Sequence, residues 1–323
     1  MATRRWIPRC RLEATSSPAG GASSAKRPWT STPRPRRSRC PGHRPLPRER
    51  GRAALVVFVP LISAGDAELF VEEHGEGEVL LLVAGLGGSG VFWRKQVEYF
   101  SPCYRVVTYD HRGVGRSPEA PLHSSVSEMA DDALALMDAL GIEAAHIVGH
   151  STGGAIGQHL ALRAPARVRS LVLSSSWAGP TPLFVELFQL RRKILLDAGA
   201  ESYLFSGTLL VTPAWAIEDS YPGRDRIVAD RLKVFPGVEA ELGRLNAVMT
   251  HDLREEIHGI RVPTGVISAK DDVLTPPGMA RELAERIPGA RRVMLPEGGH
   301  FCTVTVADRY NGELSRLLRE INS

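Results

Sequence analysis

Cysteine is scarce, with four residues in 323. Four cannot build a disulfide framework, and none is spaced as a metal-binding pair, which sets aside small secreted scaffolds and zinc modules. Long apolar runs are missing too. No stretch approaches the roughly 18 consecutive apolar residues of a membrane-spanning helix, so the pattern is not that of an integral membrane protein. Lysine is nearly absent, 5 against 35 arginines, the bias expected of GC-rich coding. Apolar residues at 43% and charged residues at 24% are ordinary for a globular chain with one large core or two smaller ones.

Acid is missing from one part of the chain. Residues 1–53 hold 13 Arg and Lys26 against Glu13 and Glu49, a charge of +12, while the remainder carries −8. The overall +4 therefore describes neither part. The same stretch takes 8 of the 23 prolines, many in Arg/Pro/Ser runs such as Thr32 to Arg39. It can bury little apolar surface against its chain entropy, so residues 1–56 are expected to be a disordered basic tail. Three origins fit the composition. One is upstream GC-rich DNA read in frame, the patterned protein starting at Val57 or Val59; the others are a transit segment and a polyanion-binding arm. The first is preferred. The apolar run Ala53 to Ile62 mimics a signal peptide but continues into strand pattern, and is read as a strand.

From Val57 onward the pattern is regular. Val57 to Ser63 and Leu69 to His74 form a hairpin around Ala64-Gly65-Asp66. Leu80 to Val83, Arg105 to Tyr109, His146 to Val148, Val168 to Leu173, Pro263 to Ser268 and Val293 to Leu295 read as further strands. Helices are expected over Val126 to Leu140 (Ser125 or Ser127 as cap), Ala155 to Leu162, Pro277 to Ile287 and Val306 to Ile321. Alternating strands and helices imply a mostly parallel, doubly wound sheet covered on both faces. Between 178 and 258 the alternation stops; this aromatic-bearing helical stretch reads as a cap over a pocket. The expected organisation is a core of 57–177 and 259–323 with a cap of 178–258.

Gly149-His150-Ser151-Thr152-Gly153 follows a strand and opens a helix, the context of a G-x-S-x-G nucleophile elbow. Such a turn lifts the Ser151 hydroxyl above the sheet and aims a helix N-terminus at developing negative charge. The glycine-rich turn after Leu80 to Val83 supplies further amides, so Leu86 and Thr152 N–H are the candidate oxyanion hole. The acid and then the base follow such an elbow in the chain. In Lys270-Asp271-Asp272-Val273-Leu274-Thr275-Pro276 the spacing to Thr-Pro selects Asp272, and Asp271 is assigned to holding the loop. Of ten histidines only His300 lies beyond Asp272, in the loop Gly298-Gly299-His300-Phe301, which makes it the candidate base. Candidate pocket residues are Gly85, Gly87, Ser89, His150, Trp177 and Phe301, although His150 could equally pack. Asp110 and Arg112 are expected to pair with each other, and Cys302 to pack. Arg191 and Arg192 could each face solvent or hold a carboxylate. His251 and His258 lack metal-ligand spacing, so neither metal nor cofactor is expected.

With these motifs in this order, residues 57–321 resemble the α/β-hydrolase fold family. A narrower resemblance is to the pyrimidine-utilisation hydrolases of the RutD group. It is carried by Ala84-Gly85-Leu86-Gly87-Gly88-Ser89-Gly90 with Phe92-Trp93, and by Tyr109-Asp110-His111-Arg112-Gly113. Arg244-Leu245-Asn246-Ala247, Ser268 to Pro276 and Gly298-Gly299-His300 through Asn311 add to it. The resemblance implies hydrolysis of aminoacrylate, or of a carbamate, in uracil breakdown. The 3-oxoadipate enol-lactone hydrolases share the general pattern but match the cap less well. Ala84 stands where many α/β-hydrolases carry a histidine, which members of the RutD group often lack as well. Some of that group lack the elbow serine; its presence here keeps ester or enol-lactone chemistry in contention.

The expected protein is thus a serine hydrolase acting on a small molecule, without nucleic-acid or membrane partners, as a cytoplasmic monomer or homodimer. A hydrolase fold used only as a ligand receptor is the competing class. Nucleic-acid binding would rest on the tail alone.

Overall fold

The computed structural model describes residues 57–121, 123–220 and 223–323. The basic tail assigned to residues 1–56 lies outside the described residues, as does Tyr221 of the helical stretch.

Eight strands form one sheet: β1 (Val57–Ala64), β2 (Ala67–His74), β3 (Val79–Val83), β4 (Arg105–Tyr109), β5 (Ala145–His150), β6 (Val168–Ser174), β7 (Thr264–Ala269) and β8 (Arg291–Leu295). Their order is β1-β2-β4-β3-β5-β6-β7-β8. β2 runs antiparallel to both neighbours, and β4, β3, β5, β6, β7 and β8 pair in parallel. Successive residues of a strand point to opposite faces, and β3 shows the result. Leu81 and Val83 join a core shared with α2 (Val126–Ala139) and α3 (Thr152–Arg163), while Leu80 and Leu82 join a second core beneath α10 (Ala307–Ile321). This is why β3 is apolar without alternation: both faces are covered. Ser125 caps α2 by accepting from Glu128 N (3.2 Å), and the Glu128 carboxylate returns the bond to Ser125 N, a full capping box.

The sequence pattern missed α1 (Arg94–Phe100), a short helix entered through a single 3-10 turn at Gly90–Trp93. Gln96 on its inner face donates to Asn311 of α10 (2.8 Å), and Phe100 is buried, with Val97 and Tyr99 half-buried, against the same core. α8 (Pro277–Arg286) and α9 (Cys302–Thr305) complete the layers.

Between β6 and β7 the chain leaves the sheet for α4 (Pro182–Val211), α5 (Ala214–Ser220), α6 (Arg224–Leu232) and α7 (Val238–Thr250). By length and composition α4 could cross a membrane. Gly199, at φ 80° and ψ 175°, breaks it into two limbs, and Arg191 is buried on the first of them. A break of that kind would leave backbone groups without partners in lipid; here the two limbs fold against α6 and α7.

Candidate active site

Parallel pairing brings the carboxyl ends of β3, β5 and β6 together, since Val83 is in register with Gly149 and Gly149 with Leu173. Ser151 stands just past β5 with φ 55° and ψ −119°, a conformation that L residues rarely hold. The surroundings over-determine it. Ser151 N donates to Ser174 O (2.8 Å), and its carbonyl accepts from Gly154 N (2.9 Å) and from Ser176 Oγ (2.9 Å). Glycine is required on both sides for space: a Cβ at Gly149 would stand 2.1 Å from Gly153 O, and one at Gly153 2.1 Å from Val83 O. Thr152 is the first residue of α3, so its amide has no acceptor within the helix.

The loop after β3 is a turn closed by Gly88 N donating to Gly85 O (2.9 Å). Leu86 and Gly87 are its central residues, whose amides a turn does not use. The Gly85–Leu86 peptide is planar and trans, so anchoring its carbonyl to Gly88 aims the Leu86 N–H the other way. Gly85 lies against the elbow, where a Cβ would come within 3.1 Å of Ser151 Cβ.

Asp272 and His300 meet from the loops after β7 and β8. His300 Nδ1 donates to Asp272 Oδ2 at 3.0 Å, with the two side chains 2% and 0% exposed. The other Asp272 oxygen accepts from Leu274 N and Thr275 N (both 2.9 Å), and Thr275 Oγ1 donates to Oδ2 (2.8 Å). Burial alone would raise this carboxyl. The charge of His300, with hydrogen bonds from His300 and Thr275, outweighs burial and holds it below the ordinary carboxylate value. Asp271 instead accepts from Gly298 N (3.2 Å) and Gly299 N (2.9 Å), fixing the loop that presents His300.

Among the pocket candidates, Gly85, His150 and Phe301 surround this place. The His150 ring is 4.9 Å from that of His300 and 4.7 Å from Phe92, which in turn meets Phe301 edge-on at 5.2 Å. Burial, then the neighbouring His300, keeps His150 well below the ordinary imidazole value, hence neutral. Gly87 is exposed, Ser89 Oγ donates to Asp110 (3.1 Å), and Trp177 is buried against Phe184 and His251. Burial pushes the Cys302 thiol up to about 12, so it packs as a thiol.

One expected pair is not formed. Asp110 accepts from Gly90 N (2.7 Å) and Arg116 Nε (2.9 Å), while Arg112 donates to Asp132 (2.6 Å). The cause is the turn that follows Arg112: Gly113 and Gly115, at φ 67° and 60°, fold Arg116 back onto Asp110, and Arg112 is directed at Asp132 of α2.

Ser151 is 7% exposed, and the helical insertion reaches the loops that flank it. It touches both loops: Phe301 N donates to Val211 O (2.9 Å), and Arg244 Nε on α7 donates to Leu86 O (3.1 Å). Arg192 is exposed, but Arg191 is buried beneath Tyr203, its guanidinium 4.6 Å from that ring. Arg191 makes no hydrogen bond among the described residues, and its Nε is fully enclosed. Sequence could not separate these two neighbours, since adjacent helical residues face about 100° apart and the inner face was unknown.

Buried histidines give the fold an acid-sensitive component. Burial, then the Arg244 charge, lowers His111 to about 3; burial, then His159, lowers His251 to about 3. Unfolded, both titrate near 6.5. Between about 3 and 6.5 the unfolded chain therefore binds more protons, so their stabilisation is complete above pH 6.5 and declines below it. About 2 kcal/mol per histidine is expected to be lost between pH 7 and 5. Urea midpoints over that range should fall, and less steeply in His251→Asn; a flat profile would contradict this.

The chain matches the α/β-hydrolase fold family over residues 78–207. The fold and the match define a hydrolase of that class. The chain is 39% identical over 264 residues to RutD of Azorhizobium caulinodans, a protein whose name assigns it to carbamate hydrolysis. That match spans 82% of this chain and all of that protein. RutD of a Caulobacter species (strain K31), similarly named, is 37% identical over 77% of this chain and 95% of its own. Among solved structures, the enol-lactonase of Burkholderia xenovorans superposes with TM-score 0.73 at 30% identity, covering 80% of this chain and 100% of that one. The chain belongs to the RutD family.

Proposed function

We propose that the protein hydrolyses a small acyl-type substrate through Ser151, His300 and Asp272, and that the substrate is the aminoacrylate or carbamate of pyrimidine breakdown. The observation that carries the reading is the buried Asp272–His300 pair, whose imidazole lies 4.9 Å from the ring of His150, the chain neighbour of a serine held at φ 55°. His300 takes the Ser151 proton as Oγ bonds to the acyl carbon, and the carbonyl electron pair moves onto oxygen between the Leu86 and Thr152 amides. On collapse the leaving group takes that proton from His300. Water then repeats the sequence, releasing acid and restoring Ser151. Asp272 holds the imidazole with Nε2 free to act and balances its charge.

Aminoacrylate offers a second route. Its enamine tautomerises to an imine. Water adds to the imine carbon as one of its protons passes through His300 to nitrogen. The C–N bond of the carbinolamine then breaks as the hydroxyl proton passes to nitrogen, releasing ammonia and an aldehyde, with Ser151 only positioning the substrate. Arg191, buried against Phe188 and Tyr203 without a hydrogen bond among the described residues, is the cation this reading assigns to an anionic substrate. An ester or enol-lactone is the second reading, favoured by the intact elbow and by the similarity to an enol-lactonase.

A panel of aminoacrylate (ammonia release), carbamate, enol-lactone and short esters separates the two readings. Preference for the first pair by at least tenfold in kcat/KM is expected. Arg191→Gln should raise KM for carboxylated substrates about tenfold while leaving p-nitrophenyl acetate unchanged. Equal effects on both substrate types would remove Arg191 from recognition.

A further inference from the structure

Arg244 is buried, 7% exposed, on the inner face of α7, 158 positions from Leu86 in the chain. Its Nε and Nη2 both donate to the Leu86 carbonyl, at 3.1 and 2.5 Å. Nη2 also reaches His111 Nδ1 (3.2 Å), so this nitrogen accepts and the imidazole proton sits on Nε2. His111 N in turn donates to Gly88 O (2.7 Å), at the end of the same turn. Behind the guanidinium stands Glu241, 3.9 Å away and itself bonded by the Tyr203 hydroxyl. Gly88, at φ 67°, leaves room for this; a Cβ there would stand 2.8 Å from Arg244 Nη2.

A glycine-rich turn has little conformational preference of its own. Three constraints act on this one: the Gly88–Gly85 bond inside it, and from outside the His111 amide on Gly88 O and the guanidinium on Leu86 O. Leu86 O belongs to the Leu86–Gly87 peptide, so the guanidinium fixes that peptide and thereby limits how far the preceding Gly85–Leu86 peptide, which carries the Leu86 N–H, can swing. We propose that Arg244 is a positioning residue for the oxyanion hole, so that the helical insertion completes the hole as well as covering the pocket. This rests on the reading of Ser151 as nucleophile and Leu86 N–H as oxyanion donor.

The test compares Arg244→Ala and Arg244→Lys with the wild type on p-nitrophenyl acetate and on 2,2,2-trifluoroacetophenone. Ser151 Oγ would add to the ketone carbon, its proton passing to His300 and the carbonyl oxygen becoming an oxyanion in the hole. Loss of one well-aligned oxyanion donor typically costs 10²–10³ in kcat. Arg244→Ala is expected to lower kcat about 30- to 300-fold with KM within about threefold, and to weaken ketone binding by a similar factor. Added guanidinium at tens of millimolar should restore part of both losses. Arg244→Lys keeps one donor and should fall between the two, which serves if the alanine variant does not fold. Folded variants with kcat within threefold of wild type, a loss confined to KM, or unchanged ketone affinity would overturn the proposal. A wild-type protein that neither cleaves the ester nor binds the ketone overturns the Ser151 reading, and this one with it.

Discussion

Ser151→Ala is expected to lower kcat for p-nitrophenyl acetate by about 10⁴-fold or more. On the proposed mechanism the ester has no other nucleophile within the site, and what survives is the contribution of binding and oxyanion donors. His300→Ala should cost about as much. The double variant should be little worse than either, because groups that act as a unit lose their effect together. The fold should be nearly indifferent to the serine change: the elbow is held by the Ser151 backbone, through Ser174 O, Gly154 N and Ser176 Oγ. Aminoacrylate discriminates between the two routes. Ammonia release that collapses with His300→Ala but survives Ser151→Ala would assign Ser151 to positioning for that substrate. Retention of more than about 1% of ester turnover by Ser151→Ala would end the nucleophile reading.

The second large effect falls on folding. Gly153→Ala places a methyl 2.1 Å from Val83 O and 2.6 Å from Ala84 O, both backbone atoms of the central sheet. Neither can turn aside as a flexible side chain would, so α3 must lift from β3. A cost of about 3–5 kcal/mol is expected, a fall in Tm of roughly 10 °C for a chain of this size. Gly87→Ala is the matched control in the same site. Its Cβ would meet nothing within 4 Å, and its Tm should stay within a degree or two of wild type. Thermal melts of the two variants decide it, and near-equal values would show that the elbow tolerates displacement from the sheet.

Much of this was legible in the sequence where the signal is local. A strand, a glycine-flanked serine and a helix occupy consecutive residues, and the spacing from Asp272 to Thr275-Pro276 marks a carboxylate that accepts from the amides of Leu274 and Thr275. Chain order alone reduced ten histidines to His300. What stayed hidden depends on residues far apart. Nothing near Arg244 announces Leu86 as its partner, and only the assembled insertion brings them together. Asp110 and Arg112 look paired by proximity in the chain, but two left-handed glycines after Arg112 return Arg116 to Asp110 in its place. The break at Gly199 likewise cannot be told from an ordinary helical glycine until the limbs of α4 are seen to fold on α6 and α7.

The insertion grips the core at three loops, by Arg244 on Leu86 O and His111 Nδ1 and by Val211 O on Phe301 N. It is therefore not a detachable module. A cap transplanted from a relative would bring its own walls but not these grips, and could change what enters while slackening the chemistry. New specificity is more readily reached by substituting single wall residues of the existing cap, with position 244 and the turn at 85–88 free to drift only as a matched set.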